Sequence, residues 1–175
     1  MKEIEASASV LVPADEIEAQ LTPEAIVDYA QAYEIVDAED DGDVRVLYLE
    51  SEEFDLTLEF SELERGYEYR QRGSEGPFEE MSTRITFEEH DDRTEISAHS
   101  AFTFGGILRF VLDHFAVKYR IDELERTVGN LVVDVADEEQ IVVDEETAAD
   151  SGVGSGGSRN TGDETDGGDG DGTAG

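Results

Sequence analysis

The chain has 175 residues, 38% of them hydrophobic, and 46 acidic residues against 12 basic ones give it a formal net charge of −34. This length fits one domain with a tail, and the hydrophobic content is sufficient for a globular core. Such a charge predicts no nucleic-acid partner and disfavours anionic membranes, because both need a basic surface. There is also no run of about 18 apolar residues, so no membrane insertion is expected.

The sequence contains no cysteine. This excludes disulfides, thiolate metal sites and a cysteine nucleophile. The start, Met1 to Glu5, lacks the apolar stretch of a signal peptide, so we expect a cytoplasmic protein.

The negative charge is spread over the whole chain. Residues 139–175 hold ten acidic residues and Arg159, which leaves a charge of −25 on residues 1–138. Self-repulsion of this size destabilises a compact state until salt screens it, which predicts a halophilic protein adapted to molar salt. The alternative, an acidic mimic that binds a basic protein, is disfavoured because the acidic residues form no single cluster.

The first elements are a strand and two short helices. Residues 4–12 alternate between apolar and polar side chains, as a half-buried strand does, and Pro13 ends the pattern. Pro13 and the acidic residues after it are typical of a helix start. Thr22 as N-cap and Pro23 at the first helical position predict a second short helix.

Six further strands are predicted by alternation, with short connections that make neighbours antiparallel. They cover residues 33–38, 44–49, 54–60, 67–70, 81–87 and 96–104. The acidic segment 39–43 is expected to be the turn between the first two of them.

After Gly105-Gly106 the apolar period changes from two to 3.6, which predicts one long amphipathic helix. Its apolar stripe is Phe110, Val117, Ile121, Leu124, Val128, Leu131 and Val135. From Gln140 the sequence is mostly Gly, Ser, Thr, Asp and Glu, which is typical of disorder. We therefore predict a domain over residues 1–138 and a disordered acidic tail over residues 139–175.

This order predicts an α+β fold in which a curved antiparallel sheet of about seven strands wraps around the C-terminal helix. The chain resembles the helix-grip domains of the START-like or SRPBCC superfamily, with its polyketide cyclase/dehydrase-like and birch-pollen-allergen types. The resemblance is carried by Val10-Leu11-Val12-Pro13-Ala14-Asp15, by the helix pair and by Phe102-Thr103-Phe104-Gly105-Gly106. The charge would make it an acidic member of haloarchaeal type.

The resemblance implies a cavity for an apolar or amphipathic ligand between the sheet and the long helix. Four small inward residues, Ala6, Ala8, Ala98 and Ser100, either leave room for it or let the helix pack closely. The candidate cavity residues are Phe54, Leu58, Tyr67, Tyr69, Met81, Ser100, Phe102, Phe104, Phe110 and His114.

No catalytic residue can be assigned from the sequence. His90 lies in an acidic turn and His99 on the polar strand face, so both are expected in solvent, whereas His114 borders the buried helix face. Their spacing fits no zinc site, and no EF-hand, phosphate-binding or dinucleotide motif predicts a metal or cofactor.

Three hypotheses remain open. The first is non-covalent binding of a small apolar molecule, as a carrier or sensor. The second is an enzyme of the cyclase/dehydrase kind, with His114, Tyr67 or Tyr69 as proton donor. The third is a protein-interaction module with a filled core and an exposed apolar patch.

Overall fold

The computed structural model describes residues 1–73, 76, 78–105 and 113–143, with side chains from residue 117 onward in the last range. The first elements are strand β1 (Lys2–Val10) and helices α1 (Ala14–Gln20) and α2 (Pro23–Ala30). Strands β2 (Glu34–Asp41), β3 (Val44–Glu50), β4 (Asp55–Leu63), β5 (Gly66–Gln71), β6 (Phe78–His90) and β7 (Arg93–Phe104) follow. Helix α3 (Asp113–Val135), a 3-10 helix (Glu138–Gln140) and strand β8 (Ile141–Val142) complete the described chain. The predicted α+β class and element order are confirmed.

All described strands form one antiparallel sheet in the order β2-β3-β4-β5-β6-β7-β1-β8. The first strand therefore lies beside the seventh. Helix α3 packs against β1, β7 and α2, so the apolar core lies between these elements and the inward face of the sheet.

The start of α2 follows the predicted local rules. Thr22 has an extended backbone, and its Oγ1 accepts a hydrogen bond from the backbone N–H of Ala25 at 3.1 Å. Pro23 occupies the first turn, where its missing N–H costs nothing. This cap defines where α2 begins. The buried residues of α2 form one wall of the cavity described below.

The predicted turn at residues 39–43 is wrong in extent, because β2 continues to Asp41. Cross-strand polar contacts hold the acidic residues in the strand: Tyr48 donates to Glu39 at 2.6 Å and Arg45 to Asp40 at 2.9 Å. The reversal itself needs only two residues, beginning at Gly42, whose φ of 68° lies in the left-handed region that glycine favours.

The described chain has a short additional strand after the predicted domain boundary at residue 138. Ile141 pairs with Val10 and Val142 with Ser9, which makes β8 an eighth strand. The short strand covers an edge of β1 that would otherwise present unpaired backbone groups. One compact unit spans Met1–Val143. Residues 144–175, where the rest of the predicted tail lies, are outside the described residues.

Candidate functional site

Helix α3 carries three polar side chains on its buried face. Arg120, Glu123 and Thr127 are 1%, 4% and 2% exposed. They lie at helical spacing with the buried Leu124 and Leu131, so all five belong to one face. Thr127 Oγ1 donates to the backbone carbonyl of Glu123 at 2.8 Å, a bond within the helix. Arg120 instead reaches the sheet.

The guanidinium group of Arg120 contacts three adjacent strands. Tyr69 of β5 pairs with Thr83 of β6, and Thr83 pairs with Ser100 of β7. Arg120 Nη2 donates to Thr83 Oγ1 at 2.6 Å, to Ser100 Oγ at 3.2 Å and to the Tyr69 hydroxyl at 3.4 Å. Its Nε donates to Ser100 Oγ at 3.3 Å. The register of the sheet thus places three hydroxyl acceptors around one arginine.

Arg120 also forms an ion pair within α3. Its Nη1 donates to Glu123 Oε1 at 2.5 Å. Burial alone would lower the pKa of Arg120, but the Glu123 carboxylate, followed by Tyr69 and Tyr33, raises that pKa above its usual value. The guanidinium is therefore charged. Glu123 Oε2, in contrast, is buried and has no hydrogen-bond partner among the described residues.

Aromatic rings flank the ion pair. The ring centroid of Phe78 is 6.0 Å from Cζ of Arg120, within reach of a cation–π interaction. Phe78 in turn packs against Phe102 and Phe104, at centroid distances of 5.6 and 5.4 Å. Burial, and then the charge of Glu123, raises the pKa of Tyr33, so its phenol is neutral.

A cavity of about 10 Å³ lies beside the ion pair. That volume suits one water-sized group. Arg120, Glu123, Tyr69 and Tyr33 form its polar lining. The remaining lining is apolar and comes from α2 and strands β4 and β6: Ile26, Val27, Ala30, Leu56, Leu58, Phe60 and Met81.

The small inward residues do lie together, but the space at one of them is filled. Ala6 pairs with Ala98, and Ile4 pairs with Ser100. The guanidinium of Arg120 contacts Ser100 Oγ, so the small side chain makes room for an arginine from α3 there. At Ser100 the room is therefore taken by the Arg120 side chain.

The structure distributes the predicted cavity residues over several places. Leu58, Tyr69 and Met81 line the cavity. Ser100 contacts Arg120 beside it. Phe102 and Phe104 are buried in the aromatic cluster with Phe78.

Two of the predicted residues, Phe54 and Tyr67, lie elsewhere. Phe54 is half-buried with its ring centroid 6.1 Å from that of Tyr33, and Tyr67 lines a separate surface groove. Phe110 and the side chain of His114 lie outside the described residues. The expectation for the remaining histidines is confirmed, since His90 and His99 are exposed.

The separate groove has a volume of about 790 Å³ and is open to solvent. Glu24, Asp40, Asp43 and Glu62 are among the residues that line it. Two of these are already paired, because Arg45 donates to Glu24 and to Asp40 at 2.9 Å each. We place the candidate site at the smaller cavity, where a charged pair is held away from water.

The sequence-based set omits the residues that define this site: Tyr33, Thr83, Arg120 and Glu123. The alternation of β6 already put Thr83 on the inward face with Met81. Arg120 lies four residues before Leu124 and therefore on the apolar stripe of the helix. That position was the sequence signal that could have indicated a buried arginine. Charged residues are usually exposed, and both members of this pair are buried instead.

Within the described ranges, no group of three or more His, Asp or Glu residues is arranged to hold a metal ion. Among the same residues, no helix is both long and apolar enough to cross a membrane.

The fold is that of helix-grip proteins, as comparison with solved structures shows. The chain is similar to TTHA0849 from Thermus thermophilus, with 14% identity and a TM-score of 0.60 over 77% of this chain and 97% of that one. It is also similar to the Zhui aromatase/cyclase from Streptomyces sp. R1128, with 18% identity and a TM-score of 0.57 over 74% and 93% of the two chains. For Ara h 8.0201 the identity is 15% and the TM-score 0.50, over 75% and 98%. The predicted fold class is thus confirmed, and the likeness to these proteins is one of fold.

No protein-family model matches the sequence, and the comparison with curated proteins found no match.

Proposed function

We propose that this chain binds a small, largely apolar molecule without covalent chemistry, as a carrier or sensor. The molecule lies between α3 and the sheet, with its apolar part on the α2 and β4 side chains of the cavity. Its polar group meets Arg120 and Glu123. The likeness in fold to an aromatase/cyclase supports this class of function, although that likeness extends only to the fold.

The observation that carries the proposal is the unpaired oxygen of a buried ion pair. Glu123 lines the cavity, and its Oε2 has no partner among the described residues. Leaving a buried charged acceptor unsatisfied is unfavourable, typically by about 1–3 kcal/mol or more. A well-packed apolar pair usually serves stability as well as a buried ion pair does. A polar group that is costly for folding alone is explained if it recognises a ligand.

The cavity volume limits how the ligand binds. About 10 Å³ admits the polar group of a ligand, so its apolar body must displace side chains on entry. Met81 is suited to this, because an unbranched thioether repacks easily. We therefore expect a compact ligand and slow association.

The test is native mass spectrometry of the purified protein, with extraction of any bound small molecule. We expect a stoichiometric apolar passenger. Val27→Ile adds one methylene at the cavity wall and should reduce occupancy, whereas Val133→Ile makes the same change on a residue that is 72% exposed. Equal occupancy in both variants, or no uptake of any apolar probe by the wild-type protein, would contradict the proposal.

A second candidate function is an enzyme of the cyclase/dehydrase kind. Its supporting observation is the Tyr69 hydroxyl, which lines the cavity 3.4 Å from Arg120 Nη2 and is placed to donate a proton. Incubating extracted ligand with the protein would then yield a product lighter by one water, and Tyr69→Phe would slow this while retaining binding. An unchanged ligand mass would leave only the binding function.

A further inference from the structure

The hydrogen-bonding groups at the candidate site are unequally used. All three guanidinium nitrogens of Arg120 have acceptors: Nε contacts Ser100, Nη1 contacts Glu123 and Nη2 contacts Thr83. The Thr83 and Ser100 oxygens are 2.8 Å apart, and Ser100 Oγ also donates to the carbonyl of Ser82 at 3.3 Å. Each guanidinium nitrogen of Arg120 therefore already has an acceptor on the protein.

The acceptor side is open at one atom. Glu123 Oε1 receives Nη1 of Arg120, whereas Oε2 has no partner among the described residues. A carboxylate oxygen only accepts hydrogen bonds. What this position lacks is a donor, and the adjacent cavity of about 10 Å³ matches the size of one hydroxyl group.

The charge of the site sets the second requirement. Arg120 and Glu123 neutralise each other, and the other described residues of the lining are uncharged: Tyr33, Tyr69, Met81 and the apolar side chains of α2 and β4. A ligand carboxylate would lie beside the Glu123 carboxylate, where like charges repel at low dielectric. A ligand ammonium would bring a second positive charge next to Arg120 and would have to lose its hydration.

We propose that the ligand of this site carries a neutral hydroxyl group that donates to Glu123 Oε2, and that Glu123 selects such ligands over carboxylates of the same shape. This inference rests on the proposed binding function. It adds the chemical class of the ligand: an apolar alcohol or phenol rather than an acid or an amine.

The test compares four probes with one ring system: 2-naphthol, 2-methylnaphthalene, 2-naphthoate and 2-naphthylmethylamine. Their affinities are measured by titration calorimetry with the full-length protein in molar KCl. For the wild-type protein we expect 2-naphthol to bind about tenfold more tightly than 2-methylnaphthalene. That difference in affinity corresponds to one hydrogen bond to a charged acceptor. We expect 2-naphthoate and the amine to bind more weakly than 2-naphthol.

Glu123→Gln sharpens the test. The amide oxygen can still accept from Arg120, which turns the amide N–H donors toward the cavity and leaves the arginine charge unbalanced. The preference for 2-naphthol over 2-naphthoate should then fall at least tenfold or invert. The matched control is Glu125→Gln, which removes the same charge from an exposed position on the same helix. Its preferences should equal those of the wild-type protein.

The outcomes separate the two proposals. If no probe binds the wild-type protein, the binding function itself fails. If all four bind with similar affinity, or if the acid or the amine binds best, the binding function stands and the hydroxyl inference is overturned. Because the wild-type comparison decides this alone, the inference is testable even if Glu123→Gln does not fold.

Discussion

An arginine–glutamate cluster lies against each face of strands β5 and β6: the inner pair belongs to helix α3, and the outer cluster belongs to the two strands. On the inward face, Arg120 pairs with Glu123 and both side chains are at most 5% exposed. On the outward face, Glu68 lies between Arg70 and Arg84; the Arg84 Nη2 to Glu68 Oε2 distance is 2.7 Å. The side chains of Arg70 and Arg84 are 68% and 59% exposed.

The two clusters differ in burial and in hydrogen bonding, although the residue types are the same. Both oxygens of Glu68 accept from an arginine, one from Arg70 and the other from Arg84. Only one oxygen of Glu123 has a partner among the described residues. The outer cluster is satisfied and solvated, as a surface network is. The inner pair is desolvated and incomplete, which stability alone does not explain.

The largest effect should come from removing one member of the inner pair. Arg120→Met leaves the Glu123 charge buried without its partner, so the free energy of unfolding should fall by about 3–5 kcal/mol. Adding Glu123→Leu should recover most of the lost free energy of unfolding, because an apolar pair of similar volume packs without a buried charge. Both are measured by urea denaturation at fixed molar KCl.

The outer cluster supplies the control for that experiment. Arg84→Met removes an arginine from Glu68, but the exposure of the side chain should limit the loss to below about 1 kcal/mol. Equal losses for Arg84→Met and Arg120→Met would show that burial does not distinguish the clusters.

The sequence predicts the outer face better than the inner one. Alternation fixed which face of β5 and β6 each residue occupies, so exposed positions such as Arg84 followed directly from the pattern. Arg120 and Glu123 lie on the apolar face of α3 against the tendency of charged residues to be exposed. Only tertiary packing decides that position, because Tyr69, Thr83 and Ser100 come together through sheet register and not through local sequence.

The second-largest effect concerns the charge on the outer surface. Three pairs of acidic residues are directly opposite each other in the sheet: Glu34 with Glu50, Glu50 with Asp55, and Glu88 with Glu95. If each costs up to about 1 kcal/mol, raising KCl to molar levels should stabilise the protein by roughly 2 kcal/mol. Melting and urea curves over a KCl series measure this.

A variant separates this surface repulsion from other salt effects. Glu50→Gln removes two of the opposed pairs and should flatten the dependence of stability on KCl. Glu64→Gln, on an exposed residue between β4 and β5, should leave the dependence unchanged. Full stability of the wild-type protein in dilute buffer would contradict both this prediction and the halophilic interpretation of the composition.

A smaller effect, dependent on pH, is expected at Glu68. Hydrogen bonds from Arg84 and Arg70 lower the pKa of Glu68 below its ordinary value of 4.5. A lowered folded-state pKa stabilises the protein above 4.5, and this contribution is lost as the pH falls through the folded-state pKa. Glu68→Gln should therefore cost about 1 kcal/mol at pH 7 and progressively less below pH 4.5. A wild-type-minus-variant difference that grows on acidification would overturn this assignment.

The smallest effect should follow deletion of residues 144–175, which removes nine acidic residues and Arg159. A segment with almost nothing to bury adds little to folding, so the free energy of unfolding should change by less than about 0.5 kcal/mol in molar KCl.

Deleting residues 139–175 instead also removes β8 and the Gln140 carbonyl, which accepts from the Leu11 N–H at 2.7 Å. That longer deletion should cost about 1 kcal/mol or more. Equal melting temperatures for the two truncated proteins would place the domain boundary at residue 138. Loss of the melting transition after deletion of residues 144–175 alone would refute a disordered tail.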